Sequence, residues 1–318
     1  MMRNITLEDI ETAHKRIAPY IHRTPVLTSK SINEIAGSEI YFKCENFQKI
    51  GAFKIRGGMN ASLTLSAEKL KNGLATHSSG NHAQAIAFAA KQLGTKAYIV
   101  MPNNSPAVKV AAVKGYGAQI SFCEPTQAAR ESTMQKIIED TGAEFIHPYD
   151  DYRVITGQAT CAKELIEDAG PFDIMMAPVG GGGLMSGTCL STHYLLQGTI
   201  IYAAEPEGAA DAVVSIKSGK VEKAAFVKTI ADGLQTSLSE QTLGIIKTYV
   251  KEVLLVSEEE IKAALKLVYE RMKIVIEPSS AVPLAAVLKN KGKFAGKTTG
   301  IILTGGNVDL VKFSEWFK

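Results

Sequence analysis

Gly180, Gly181, Gly182 and Gly183 form an unbroken glycine run that follows the apolar stretch 174–179 and leads into a helical pattern at Leu184. Four residues without side chains let a chain leave a strand and enter a helix through a turn whose N–H groups face inward. The positive end of the helix lies behind them, so the turn suits an anion, a phosphate above all. A flexible turn is the plainer alternative. The run fits neither G-x-G-x-x-G nor G-x-x-x-x-G-K-[ST], which argues against a dinucleotide or a P-loop nucleotide.

The strand–helix order seen there continues along most of the chain. Strands are predicted at 40–44, 97–101, 118–122, 143–146, 173–179, 200–205 and 301–304. Helices are predicted at 53–65, 82–93, 106–114, 127–140, 154–168 and 184–196. Ser257 and Glu260 make a capping box, after which Ile261, Leu265, Val268 and Met272 recur on one helical face. Repeated β-α-β-α order implies an α/β protein with parallel sheets and helices on both sides. A length of 318 residues favours two packed domains. The block 73–150 reads as a small, mobile α/β domain inserted between 1–72 and 151–318, which together form one discontinuous large domain. Segment 208–243, rich in Gly, Lys, Ser and Ala, reads as loop.

Composition removes several classes. Hydrophobic residues at 46 % and charged residues at 21 % fit a globular protein and not a disordered one. A net charge of +3 without a basic stripe gives no reason to expect a nucleic-acid partner. No apolar run nears the ~20 residues that cross a bilayer, and residues 1–20 lack a signal core, so no membrane partner and a cytoplasmic location are expected. Cys44, Cys123, Cys161 and Cys189 are scattered, which suits reduced thiols better than zinc or disulfides.

Three further motifs carry chemistry. Lys54 lies in the stretch Gly-Ala-Phe-Lys-Ile-Arg-Gly-Gly at 51–58, at the start of a helix. Alone it is an ordinary surface charge; beside a phosphate cradle, burial and nearby cations would lower its pKa and make an imine feasible. Residues 77–82, His-Ser-Ser-Gly-Asn-His, precede a helix, where hydroxyl, amide and free N–H groups suit a carboxylate. Capping by Ser79 or Asn81 is the competing explanation, and the two are compatible. Thr304-Gly305-Gly306-Asn307 ends a strand, where ligands gather in open parallel sheets, although a tight turn also explains its glycines.

Together FKIRGG, SSGNH, GGGGL, AAEP, EPSSA and LTGGN, in this order between Ile5 and Leu310, resemble the fold-type II pyridoxal-phosphate (PLP) enzymes. The resemblance is to the serine racemase and serine/threonine dehydratase branch, most nearly of the racemase type, and in fold to tryptophan synthase β chains. It implies that the large domain binds PLP, with Lys54 as the Schiff-base lysine and Phe53 against the ring. Gly180 to Gly183 and the Leu184 amide would hold the phosphate, Asn81 the 3′ oxygen, and Thr304 would face the pyridine nitrogen. Ser78, Asn81 and His82 would take the substrate carboxylate, with Arg130 joining on closure. A hydroxyl at the ring nitrogen makes a weaker electron sink than a carboxylate, which favours Cα–H removal and β-elimination over transamination.

Glu205, the Ala209 carbonyl and Asp211 match the family's cation loop, implying Mg²⁺, or Mn²⁺ or Ca²⁺; without the resemblance they read as a solvated acidic turn. Lys49, Lys109 and Tyr116 match positions at which relatives bind ATP across a dimer interface, implying a homodimer and ATP as activator. The chain stops soon after Asn307, with no room for the regulatory domain of biosynthetic threonine dehydratases.

Ser79 separates activities within the branch, because dehydratases usually carry alanine there. Racemisation needs a proton donor on the face opposite Lys54; elimination does not. The expected activity is therefore interconversion of L- and D-serine, with β-elimination to pyruvate and ammonia, and with Lys54 and Ser79 catalytic. SSGNH also occurs in L-threo-3-hydroxyaspartate ammonia-lyases, so that activity, or catabolic L-threonine/L-serine dehydration, is the alternative. The pair Asp150-Asp151 is expected to repel a second substrate carboxylate and so to favour serine. Ala52 and Tyr149 depart from the common pattern. A silent phosphate-binding module is the non-enzyme alternative, against which the intact Lys54 speaks.

Overall fold

A computed structural model describes residues 4–105 and 107–317. Among them the strands are β1 (Val26–Leu27), β2 (Glu39–Cys44), β3 (Leu74–His77), β4 (Ala97–Pro102) and β5 (Gln119–Cys123). They continue as β6 (Glu144–Phe145), β7 (Ile174–Pro178), β8 (Ile200–Pro206), β9 (Glu252–Val256) and β10 (Thr298–Leu303). One sheet runs β1-β2-β10-β7-β8-β9, the other β5-β4-β3-β6. Every neighbouring pair is parallel except β1 with β2. The chain is thus an α/β protein with two sheets. The four-stranded sheet draws on Leu74–Phe145 alone, and the six-stranded sheet on the chain to either side.

Each strand predicted from sequence has its counterpart, as do the helices, now Lys54–Leu63, Asn81–Gln92, Ala107–Gly115, Gln127–Thr141, Tyr152–Ala169 and Gly183–Leu195. Pro106, the predicted start of one, lies outside the described residues. The Ser257–Glu260 capping box is present. Segment 208–243 is mainly irregular but holds the short helix Ala212–Ser218 and the first turn of Glu240–Tyr249. β3, β9 and the helices Leu7–Ile17, Lys30–Ala36, Glu240–Tyr249 and Pro278–Lys289 add to the predicted set. Leu7–Ile17 is an amphipathic helix with a Thr6/Asp9 capping box and Ile10, Ala13 and Ile17 buried.

Three helices stack at backbone distance beneath the cleft between the sheets. A Cβ on Gly157 would lie 2.5 Å from the Arg56 carbonyl oxygen and 2.7 Å from Gly57 Cα, so Lys54–Leu63 and Tyr152–Ala169 meet with nothing between their main chains. A Cβ on Gly187 would stand 2.6 Å from the Ala159 nitrogen, which brings Gly183–Leu195 equally close. Since the obstructing atoms are backbone, a methyl group at 157 must push the helices apart. Gly157→Ala is expected to lower stability by about 3 kcal/mol, read as a reduced urea midpoint with unchanged slope.

Candidate active site

Lys54 opens its helix at the end of a segment sewn to the turn after β10. The Phe53 N–H donates to the Thr304 carbonyl (3.0 Å), Gly306 N–H to Gly51 O (2.9 Å), and Ala52 bridges Gly305. Ile50, just upstream, holds φ +64°, a left-handed conformation costly for a β-branched residue. Asn307 Nδ2 secures it by donating to Ile50 O (2.7 Å). The turn that places Lys54 is therefore strained and pinned.

The Lys54 ammonium nitrogen donates to Pro148 O (2.9 Å) and stands 5.2 Å from the Phe53 ring centroid. Burial pulls its pKa down to about 8, against a smaller upward pull from Glu277. Tyr149, the next residue after Pro148, packs on the glycine run: a Cβ on Gly181 would lie 2.3 Å from Tyr149 Cδ1. Lys54, through Pro148, and Gly181 and Gly183, through Tyr149, thus converge on two consecutive residues. Gly182 has φ +88° and is the N-cap of Gly183–Leu195, with no side chain capping that helix. All four glycines are buried. Leu238 and Thr242 press on Gly182, and Gly233 and Leu234 on Gly180, so the turn is rigid and its N–H end is open to an anion.

Asn81 starts its helix, with Gly80 as N-cap and no side-chain capping bond; neither Ser79 nor Asn81 acts as the cap. Ser79 is half-buried and its hydroxyl has no hydrogen-bond partner among the described residues. Ser78 accepts the Gly80 N–H (3.3 Å). His82 is buried, its Nε2 bonded to Ile146 O (3.1 Å) and its Nδ1 without a partner among the described residues. Burial, with Lys54 nearby, drives its pKa far down, so the ring is neutral, with its proton on Nε2 facing the carbonyl. Its side chain offers nothing to a carboxylate; only its main-chain N–H does.

Thr304 is buried, its Oγ1 2.9 Å from Ser280 Oγ and 3.5 Å from Glu277. Asn81 Nδ2 donates to both Glu277 oxygens (3.0 Å each), and Asn81 Oδ1 accepts from Asn307 Nδ2 (2.9 Å). Glu277 and Ser280 stand within EPSSA and Asn307 within LTGGN, motifs that by themselves assign these three residues no role. The only available signal was an acid and an amide inside two glycine- and serine-rich motifs, and their partners lie about 200 residues away.

Arg130 sits on Gln127–Thr141 near His77, with its Nε buried and without a partner among the described residues. Asp151 is the N-cap of Tyr152–Ala169 and is paired with Arg153 (2.6 Å); Asp150 is exposed. Of the expected repulsive acid pair, Asp151 is thus balanced by its own helix and by Arg153, and Asp150 remains as the exposed charge. Lys109 is ion-paired with Asp232, Tyr116 meets Phe88 edge-on, and Lys49 lies in the turn before Ile50.

Glu205 and Asp211 are both buried, and their carboxylates accept N–H bonds from Ala212 (2.7 Å), Val213 (3.1 Å) and Leu238 (3.1 Å). Burial pushes Glu205 up to about 8, with Asp211 adding to the rise, and Asp211 up to about 6. Ala209 is buried in the turn between them. Among the described residues no three His, Cys, Asp or Glu side chains come together as a metal cluster.

Residues 17–305 match the family model described as pyridoxal-phosphate dependent enzyme. The chain belongs to this family. It is 51 % identical to serine racemase of Dictyostelium discoideum, covering 99 % of this chain and 98 % of that one. It is 49 % identical to beta-hydroxyaspartate dehydratase of Paracoccus denitrificans, over 96 % of this chain and 98 % of the other. The solved maize serine racemase superposes with a TM-score of 0.95 at 42 % identity, covering 99 % of this chain and 97 % of that one. The chain is thus a fold-type II PLP enzyme of the serine racemase and dehydratase branch, and no described helix is long and apolar enough to cross a membrane.

The residues present fit the cofactor: a glycine turn that any Cβ would obstruct, and a desolvated lysine beside it. In a PLP enzyme the amine must be neutral to attack an aldehyde. Below pH about 8 Lys54 is mostly protonated and above it mostly neutral, whereas an ordinary lysine remains protonated two units higher. Trapping with an aldehyde reagent and borohydride, mapped by peptide mass spectrometry of the apoprotein, is expected to plateau for Lys54 just above pH 8 while surface lysines keep gaining label.

Proposed function

We propose that this chain interconverts L- and D-serine and also eliminates the β-hydroxyl of serine to yield pyruvate and ammonia. The observation that carries this reading is Ser79: the serine hydroxyl is unbonded and caps no helix, in a chain whose racemase-named relatives match it end to end. Bound PLP supplies the aldehyde for amine capture and a ring that withdraws electrons from Cα. Gly180 to Gly183 and the Leu184 N–H hold its phosphate, Lys54 its aldehyde carbon and Phe53 its face. Asn81 donates to its 3′ oxygen and Thr304 faces its nitrogen.

Ser78, Asn81 and the main chain around His82 hold the substrate carboxylate at the open helix N-terminus, and Arg130 joins when the cleft closes. Lys54 Nζ takes the Cα proton from one side, which its lowered pKa makes feasible near neutrality. Ser79 Oγ delivers a proton to the opposite side, completing the inversion. The block 73–150 is the smaller domain that closes on 1–72 and 151–318, and the Lys109–Asp232 pair and the Asn81–Glu277 bonds run between these portions.

Glu205, the Ala209 carbonyl and Asp211 hold a hard divalent cation, Mg²⁺ or else Mn²⁺ or Ca²⁺. Two buried carboxylates, both pushed up by burial and one further by its neighbour, are relieved by such an ion. Because Leu238 bonds Asp211 and presses on Gly182, the cation would steady the phosphate turn. A homodimer in the cytoplasm suits four buried, unpaired cysteines and the exposed apolar Phe47 and Val275, which sit together through the Asn46–Val275 bond. ATP as activator would draw Lys109 away from Asp232, at a cavity of about 460 Å³ lined also by Gln84, Asn307 and Trp316.

One second reading has its own support. With Asp151 balanced by Arg153, and with Arg130 Nε lacking a partner among the described residues, repulsion of a second substrate carboxylate is reduced to that of Asp150, so L-threo-3-hydroxyaspartate elimination is the rival.

Offering L-serine, L-threonine and L-threo-3-hydroxyaspartate separately, with D-amino acid and keto acid as readouts, decides between them. D-serine from L-serine is the expected product, and keto acid from hydroxyaspartate alone would leave the rival standing. Ser79→Ala is expected to cut D-serine formation by about 100-fold or more while pyruvate formation persists. Glu205→Gln with Asp211→Asn should abolish the rise in melting temperature that added Mg²⁺ gives the unsubstituted holoenzyme.

A further inference from the structure

Behind the two ring contacts lies one carboxylate that touches both. Glu277 is 4 % exposed and is the N-cap of Pro278–Lys289, yet its side chain caps nothing there. It accepts from Asn81 Nδ2 and approaches Thr304 Oγ1 instead. Both carboxylate oxygens stand 3.0 Å from that one nitrogen and subtend a narrow angle at it, so they share a single N–H and leave the other directed elsewhere. A carboxylate only accepts, and Asn307 only donates to Asn81 Oδ1, so the amide is held in one orientation from both ends.

We propose that Glu277 is a positioning residue that keeps Asn81 a hydrogen-bond donor toward the cofactor's 3′ oxygen and sets the direction of the Thr304 hydroxyl at the ring nitrogen. The proposal rests on the placement of Asn81 and Thr304 given above. Ser280 Oγ donates to Gly305 O (2.8 Å), which leaves the Thr304 hydrogen to go to Ser280, to Glu277 or to the ring. An ionised Glu277 draws that hydrogen toward itself, and the ring nitrogen can then bond Thr304 only by carrying its own proton. A neutral Glu277 releases Thr304 to donate to an unprotonated nitrogen. One buried carboxyl thus sets the polarity of both ring contacts.

Both states lie within reach of neutrality. Burial lifts Glu277 to about 7 with Asp232 adding to the rise, while Asn81, Lys109 and Thr304 pull it back. The charged groups facing it are Asp232 and Lys109, paired with each other, and Lys54, whose ammonium it favours.

The test uses substrate-free holoenzyme, with its visible and near-ultraviolet absorption recorded from about pH 6 to about pH 9 and its PLP affinity measured. The unsubstituted protein is expected to show the ratio of the two bands titrating near neutrality. Glu277→Gln brings an NH₂ that turns the Asn81 amide around; the titration is lost, the near-ultraviolet form gains, and PLP binding weakens about tenfold. Glu277→Asp restores part of the titration. If Asn81→Ala and Thr304→Ala shift the spectrum and Glu277→Gln does not, the role of Glu277 is refuted and the cofactor placement stands. If neither alanine variant shifts it, the placement fails and takes the proposal with it. Bands of the unsubstituted protein that stay constant over this range overturn the proposal even if the glutamine variant does not fold.

Discussion

Two residues beyond Lys54, a guanidinium with no exposed surface is held between two carboxylates. Arg56 Nε meets Glu45 Oε2 at 2.8 Å, and one terminal nitrogen meets Glu164 Oε2 at 2.7 Å. Glu164 also meets Lys43 Nζ at 2.8 Å and His14 Nε2 at 3.0 Å, so two basic and two acidic buried groups balance, with the histidine at the rim. The cluster ties β2 and the turn after it to the helices Leu7–Ile17, Lys54–Leu63 and Tyr152–Ala169. Such a cluster is a poor source of net stability, but losing one partner leaves an uncompensated charge at a cost of about 3–5 kcal/mol. Its consequence is geometric. The helix carrying Lys54 cannot rotate without breaking it, so the amine reaches the cleft from a fixed base.

Around that base desolvation moves Lys54, Glu277 and His147 in the same sense, toward the neutral form. Lys54 falls to about 8, Glu277 rises to about 7, and His147 falls to about 4 while its Nδ1 accepts the Asp150 N–H (2.8 Å). Protonation states here are therefore set by burial first and by neighbouring charges second. Lys54 and Glu277 partly offset each other, each charge easing the ionisation of the other.

The sequence carried the fold class because alternation of strands and helices is a local property, and β7 and the second half of β10 are continuous apolar runs, as strands buried on both faces are. β3 escaped notice because Leu-Ala-Thr-His is too short to show a period, and Pro278–Lys289 because Pro283 inside it reads as a break. At the site the glycine run and Lys54 were legible as a strand–turn–helix and a helix-start lysine. The roles of Arg56, Glu277 and Asn307 were not, since each is defined by partners far along the chain. The Asp151–Arg153 pair is a different case: the two residues are neighbours in sequence, and only the N-cap geometry of Tyr152–Ala169 turns them toward each other.

The strain at Ile50 explains why three distant motifs behave as one. A left-handed β-branched residue persists only where its surroundings over-determine it. Here the determinants are the Gly51–Gly306 and Phe53–Thr304 hydrogen bonds and the Asn307 amide, which grips Ile50 and Asn81 together. Lys54, Thr304 and Asn81 consequently belong to a single hydrogen-bonded frame. Relaxing Ile50 would displace the amine, the hydroxyl and the amide together, because the same few hydrogen bonds that hold its backbone also hold the start of the Lys54 helix, the Thr304 turn and the Asn81 side chain.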